Sequence, residues 1–164
     1  MSKLEFFIKE LSLEAQSTRK MLECVPDGKN DWAPHAKSMP LMRLAVHVAE
    51  LPSWFATILN TKELDFAQHE YVPEPVQNKK ELLEYFDKTI EESKKTLTAA
   101  NEETLDERWV LRNGEMIYVD ANKDEFLRTS FNHLVHHRAQ LGVYLRLLDI
   151  PIPGCYGPSA DEKF

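Results

Sequence analysis

Two histidines of this chain, His133 and His137, have the spacing of a metal-binding pair. They lie four residues apart in the stretch FNHLVHHRAQLGVYL, whose apolar residues recur at helical spacing. On a helix both imidazoles therefore project from one face, one turn apart, and this face is the core stripe. Buried imidazoles need partners for their ring nitrogens, and one metal ion supplies a partner for both. We interpret the pair as metal ligands; hydrogen bonds to neighbouring helices in a metal-free protein are the alternative.

His47 is the candidate for a third ligand. It lies among Leu44, Val48 and Leu51 in another amphipathic segment, so it can face the histidine pair across a helical bundle. Three neutral imidazoles plus solvent leave one coordination position open, which is typical of catalytic rather than structural zinc sites. Taken alone, His47 has an alternative interpretation as a hydrogen-bonded core or boundary histidine.

Polar residues near the three histidines have further candidate roles. Glu50, three residues after His47, is the candidate catalytic residue: it would orient a ligand imidazole or act as a base on bound water. An ordinary exposed glutamate is the alternative. His136 points about 100° away from the pair, which favours a surface or indirect role. Arg138 and Gln140 either support the ligands as hydrogen-bond donors or join helices. Two histidines in predicted connections are expected to be exposed: His35 and His69.

The histidines are carried by two of four amphipathic segments that predict helices. These segments run from about Lys3 to Cys24, Met39 to Asn60, Lys79 to Ala100 and Lys123 to Leu148. Pro52 cannot donate a backbone hydrogen bond, which predicts a kink in the second helix just past His47.

One further element is predicted between the third and fourth helices. Asn113-Gly114 is a strong turn signal, and it predicts a small β-hairpin over about Trp109 to Val119. The segments together predict an all-α fold, in which residues 1–164 form a single four-helix bundle domain with one or two long connections.

Composition limits the classes of function. A net charge of −7 argues against a protein that wraps nucleic acid, because such proteins cluster Lys and Arg against phosphates. No apolar stretch is long enough to cross a bilayer, so no membrane partner is expected. Cys24 and Cys155 are far apart in the chain. They predict unpaired thiols in a cytoplasmic protein, with one disulfide between them as the alternative.

Four stretches resemble the DinB family, part of the DinB/YfiT-like superfamily of metalloenzymes. They are DWAPHAKSMPLMRLAVH, LAVHVAELPSWF, HLVHHRAQLGVYLRLL and the tail IPIPGCYGPSADE. The resemblance covers almost the whole chain. It implies an up-down-down-up four-helix bundle with a long crossover connection, and a homodimer. It also implies that the residues matching the family triad, His47, His133 and His137, hold a divalent metal ion.

Two functions from different classes follow. The first is a metal-dependent enzyme acting on a small molecule, either a hydrolase or a thiol-dependent S-transferase that uses a low-molecular-weight thiol, as the superfamily implies. Zinc, nickel, iron and manganese all suit imidazole ligands. The second is a non-catalytic, metal-bearing stress-response bundle that acts as a binding or interaction module.

Overall fold

Five α-helices and a three-stranded sheet make up the computed structural model, which describes residues 1–68 and 70–163. The helices are α1 Lys3–Glu23, α2 Leu41–Glu50, α3 Ser53–Asn60, α4 Lys79–Ala99 and α5 Lys123–Leu147. The strands are β1 Glu63–Asp65, β2 Arg108–Asn113 and β3 Met116–Asn122, and a short 3-10 helix, Glu102–Asp106, precedes β2. The exposure predicted for His69 lies outside the described residues.

The periodic apolar residues from which the helices were predicted are buried in the structure. α1 begins at a capping box, in which the Ser2 hydroxyl accepts from the Glu5 N–H (3.1 Å) and the Glu5 carboxylate accepts from the Ser2 N–H (2.8 Å). Leu11 and Leu22 on its inner face are fully buried, and α1 packs on α4 and α5. α2 and α3 also pack against both α4 and α5, so inward-facing residues of α2 and α5 meet.

Pro52 separates α2 from α3, close to the predicted kink. Backbone carbonyls at this break accept hydrogen bonds from α4: Thr89 Oγ1 donates to the Ala49 carbonyl (2.8 Å) and Ser93 Oγ donates to the Pro52 carbonyl (2.5 Å). Thr89 and Ser93 are both buried, and buried polar groups without a partner would destabilise the fold. The two hydroxyls therefore hold the break in place and fix the last turn of α2.

The all-α prediction is wrong, and the fold is not a pure four-helix bundle. β2 and β3 form the predicted antiparallel hairpin, with Gly114 at a φ of 58° in its turn, but β1 adds a third strand parallel to β2. β1 has three residues within a long connection, too few to show an alternating pattern. Its pairing is supported across strands by Arg112, whose Nε and Nη2 donate to the two Glu63 oxygens at 3.0 and 2.8 Å.

The sheet is anchored to the start of α5. Trp109 of β2 is fully buried, packs edge-on against Phe126 with ring centroids 4.5 Å apart, and donates from Nε1 to Thr61 Oγ1 (2.9 Å). The Nζ of buried Lys123 donates to the Leu59 carbonyl (3.1 Å). These contacts join the end of α3 to the first turn of α5. They help to set the distance between the two helical segments that carry the candidate ligands.

Cys24 and Cys155 are both free, which confirms the predicted unpaired thiols. Burial raises the pKa of the Cys24 thiol, so this group is protonated near neutral pH. Within the described chain, none of the helices combines the length and the apolar character that a membrane crossing requires.

Candidate metal centre

The three histidines predicted as ligands come together between α2 and α5. His47 from α2 and His133 and His137 from α5 each offer one ring nitrogen, and these nitrogens all lie within 4.8 Å of one another. The ring centroids are 5.2 Å apart for His47 and His133, 4.6 Å for His47 and His137, and 4.7 Å for the α5 pair. Each residue is partly buried. The cluster could hold a metal ion, because three imidazoles on rigid helices converge on one point.

Hydrogen bonds orient two of the three rings. His47 Nδ1 lies 2.9 Å from Glu50 Oε1, and His137 Nδ1 lies 2.7 Å from Gln140 Oε1. Both oxygens are acceptors, so in the neutral rings the proton sits on Nδ1 and the lone pair sits on Nε2. A second polar group that holds the other ring nitrogen is the usual support of a metal-binding histidine. The interpretation of Gln140 as a support for the ligands therefore fits, although it accepts rather than donates.

Metal binding at this cluster would require a ring proton of His133 to move. Its Nε2 lies 2.9 Å from His137 Nε2. Because His137 presents a lone pair there, the His133 Nε2 carries the hydrogen of this bond. For both rings to bind one ion through Nε2, the His133 proton must transfer to its Nδ1 or leave. The short distance between the two nitrogens shows that they already face one common point.

Burial keeps the two imidazoles of α5 neutral. Burial lowers the pKa of His133 to about 4, and the neighbouring charges of His137 and His47 contribute in the same direction. Burial also lowers the pKa of His137, opposed by its hydrogen bond to Gln140. Only an unprotonated imidazole can bind a metal ion. His133 and His137 are therefore uncharged at neutral pH, as ligands of a divalent cation must be.

Glu50 is buried, so the exposed-glutamate interpretation is wrong. One carboxylate oxygen accepts from His47, and the other accepts from the Tyr71 hydroxyl at 2.6 Å. Burial, followed by the bond to Glu50, raises the pKa of Tyr71 to about 12, so the phenol stays protonated and continues to donate. The Arg43 guanidinium carbon lies 5.0 Å from the centre of the Tyr71 ring. With both oxygens engaged, Glu50 is placed to orient His47.

Tyr71 is the residue that sequence reasoning missed. It lies between β1 and α4, in a connection whose sequence has no helical or alternating period. The sequence showed only that Tyr71 precedes α4, and this does not indicate which way its side chain points. Tyr71 reaches Glu50 only because the chain folds back over the 21 positions that separate the two residues.

Arg138 contacts α1 and the C-terminal tail instead of the histidines. Its side chain is 2% exposed. The Nη1 donates to a Glu14 carboxylate oxygen at 2.5 Å and to Thr18 Oγ1 at 3.0 Å, and Nη2 donates to the Tyr156 hydroxyl at 2.7 Å. Of the two roles considered for Arg138, joining helices is therefore correct. The network also attaches the tail to the bundle, because Tyr156 in turn donates to Glu14 (2.7 Å).

The remaining predicted histidines do not enter the cluster. His136 is exposed, and its ring lies 4.9 Å from the His137 ring without a ring nitrogen in the converging set. His35 is exposed, as predicted. Among the described residues, the group of nitrogens able to share one ion has three members.

Comparison with known proteins identifies the family of this chain. A model of the DinB family matches residues 1–163. An uncharacterized Bacillus subtilis protein, YrdA, is 26% identical over 160 residues, which covers 97% of this chain and 91% of that protein. A crystal structure of a DinB-like protein from Bacillus cereus superposes with a TM-score of 0.72 at 22% identity, covering 93% of this chain and 97% of the other. A DinB-like protein from Bacillus subtilis gives a TM-score of 0.70 at 16% identity, covering 96% and 99%. These two structures show the shared fold.

Proposed function

Because this chain belongs to the DinB family, we propose that it is a metal-dependent enzyme acting on a small molecule, with His47, His133 and His137 as the metal ligands. The observation that carries the proposal is the convergence of three partly buried ring nitrogens within 4.8 Å of one another. A structural zinc site is usually closed by four protein ligands, whereas a catalytic site uses three and keeps one position for water or substrate. The three-membered cluster of the described chain matches the second pattern.

The residues of the chain have separable tasks in this proposal. A bound divalent ion would supply Lewis acidity, which lowers the pKa of a water or thiol that occupies the open position. Glu50 holds the His47 ring in the tautomer with Nε2 free, and Gln140 does the same for His137. Tyr71 fixes the second oxygen of Glu50. Glu50 is therefore proposed as a positioning residue. A role as a base on bound water would have to use the remaining lone pair of an oxygen that already accepts one of these hydrogen bonds.

The reaction class is tested by assays on the metal-loaded protein. Simple esters report hydrolysis, and a small electrophile offered with cysteine or glutathione reports thiol transfer. We expect activity in one of the two assays, loss of it on chelation, and recovery on adding the ion back. A loaded protein that is inactive with both substrate classes, and whose stability falls on chelation, would instead favour the non-catalytic metal-bearing bundle. The homodimer implied by the family remains a prediction, which sedimentation analysis of the full chain would test.

Replacing Glu50 should weaken metal binding without removing a ligand. Glu50→Gln keeps the shape of the side chain but removes the charge that supports the His47 Nδ1–H, so the affinity for zinc should fall by about 10–100-fold. Tyr71→Phe removes only the hydrogen bond to the second Glu50 oxygen and leaves the carboxylate beside His47 in place, so it should have a smaller effect in the same direction. Zinc titration by calorimetry measures both.

Two matched variants control this experiment. Glu91→Gln removes an exposed carboxylate of α4, and Tyr118→Phe removes an exposed phenol of β3. Both should bind zinc as the unaltered protein does. Equal affinities for Glu50→Gln and the unaltered protein would show that Glu50 does not support a ligand.

Acidification should destabilise the metal-free protein through His133. The folded state holds the pKa of His133 at about 4, whereas an unfolded chain leaves it near 6.5. Below about pH 6.5 the unfolded chain therefore binds more protons at this residue, and the free energy of unfolding falls until about pH 4. Above that window His133 contributes no pH dependence. Melting temperatures of the metal-free protein and of His133→Asn, compared across this range, isolate the effect. Parallel pH profiles for the two proteins would contradict it.

A further inference from the structure

Trp54 is a large aromatic residue that lies beside the candidate ligands and has no part in holding the metal ion. It belongs to α3, directly after the break at Pro52, and its ring centroid is 6.3 Å from that of His133 at an interplanar angle of 78°. An ion bound to a ring nitrogen at about 2.0–2.1 Å lies roughly 3 Å from the centre of that ring. The indole is therefore within reach of a small molecule that occupies the open coordination position.

Trp54 is less buried than the core requires of an aromatic residue on α3. The adjacent Phe55 is 0% exposed and packs against Phe131 with ring centroids 4.6 Å apart, whereas Trp54 is only partly buried. Core packing thus accounts for all of Phe55 and for only part of Trp54. Aromatic side chains with an exposed apolar surface are typical of the walls of small-molecule sites, where they pack against a ligand.

Solvent reaches the histidine cluster on the side of His133. The Nδ1 atoms of the other two ligands are bonded to Glu50 and Gln140. His133 Nδ1 has no hydrogen-bond partner among the described residues, and it is not one of the buried side-chain atoms that lack one, so water has access to it. The same holds for Trp54 Nε1. A molecule that approaches the cluster from this side therefore meets the indole.

We propose that Trp54 determines the substrate specificity of the metal centre. Its indole packs against a flat apolar group of the substrate, while the group to be attacked lies next to the open coordination position. The substrate class is then a small molecule that carries an aromatic or similarly planar apolar group beside its ester or electrophilic centre, because rings of this kind pack well against an indole. This inference rests on the proposed function, since it requires a metal ion with an open position.

The test compares two hydroxamates that offer a metal ion the same group and differ in their substituent. Acetohydroxamate carries a methyl group and benzohydroxamate carries a phenyl ring. Each is titrated into the cobalt-loaded full-length protein, whose visible absorption changes when a ligand enters an open position of the ion. We expect benzohydroxamate to bind about tenfold more tightly or better, because its ring loses apolar surface to water-free contact with the indole.

Three variants assign this preference to one side chain. Trp54→Leu keeps an apolar side chain but removes the ring, so it should lose most of the preference and keep the affinity for acetohydroxamate. Trp54→Phe retains an aromatic ring and should keep much of the preference. The matched control is Trp32→Leu, which removes another partly buried indole, one that contacts Tyr144 at 5.8 Å, and it should leave the preference unchanged.

The results that would overturn the inference differ from those that would refute the proposed function. An undiminished preference in Trp54→Leu would show that the indole only covers His133. Equal affinities of the unaltered protein for the two hydroxamates would likewise refute the role of Trp54 and leave the metal site standing, and this comparison decides if Trp54→Leu does not fold. A cobalt spectrum that neither hydroxamate alters would refute the open coordination position itself, and the specificity of Trp54 with it.

Discussion

Replacing either α5 ligand should nearly abolish metal binding. In His133→Ala and His137→Ala one of three converging nitrogens is gone, so the affinity for zinc should fall by more than the roughly 100-fold that loss of an outer supporting group can produce. The two remaining imidazoles lack the ligand number that zinc needs. Calorimetric titration gives the affinity, and elemental analysis after dialysis gives the occupancy.

His136→Ala is the matched control for these variants. It removes an imidazole from the same helix, one position from His137, but its side chain is exposed and outside the converging set. It should bind zinc with unchanged affinity. Full metal occupancy in both His133→Ala and His137→Ala would show that the ligands have been assigned wrongly.

The largest loss of stability is expected at Arg138. Its guanidinium and the Glu14 carboxylate are 2% and 7% exposed, so Arg138→Met leaves a buried carboxylate without its cation. Removing one member of a buried ion pair typically lowers the free energy of unfolding by about 3–5 kcal/mol. Urea unfolding of the metal-free variant measures this loss. Zinc affinity should change little, because the side chain of Arg138 bonds to Glu14, Thr18 and Tyr156 and not to the histidine rings.

Two comparisons separate the ion pair from general damage. The double variant Glu14→Leu with Arg138→Met replaces both charges with apolar groups and should recover much of the loss, since it leaves no unpaired charge. Lys80→Met breaks an exposed pair with Glu84 at 3.8 Å and should change stability by less than about 1 kcal/mol. A loss at Arg138 no larger than at Lys80, or a double variant as unstable as the sum of its single changes, would contradict the account.

The sequence predicted those features that depend on residue types and spacings within a short stretch of chain. The four-residue spacing of His133 and His137 on an apolar stripe predicted one shared face, and the structure places both beside His47. Pro52 predicted an interruption because proline lacks a backbone donor, and the helix is divided there. Asn113-Gly114 predicted a hairpin, which β2 and β3 form. These features depend on residues close together in the chain.

The contacts that the sequence did not reveal join distant segments without a period. β1 was missed because its pairing partner in β2 lies 47 positions away, at Glu63 and Val110, and the all-α prediction failed for that reason. The bond from Tyr71 to Glu50 and the one from Tyr156 to Glu14 likewise form only when connections fold back onto the helices. Supporting groups of this kind are set by the path of the loops, which local propensity does not determine.

The metal site is tested most sharply by a crystal structure of the zinc-loaded protein with an anomalous difference map at the zinc edge. We expect one strong peak between α2 and α5, with His47, His133 and His137 each contributing a nitrogen at about 2.0–2.1 Å. A map without a peak at the three histidines, from protein that was supplied with zinc throughout purification, would contradict it.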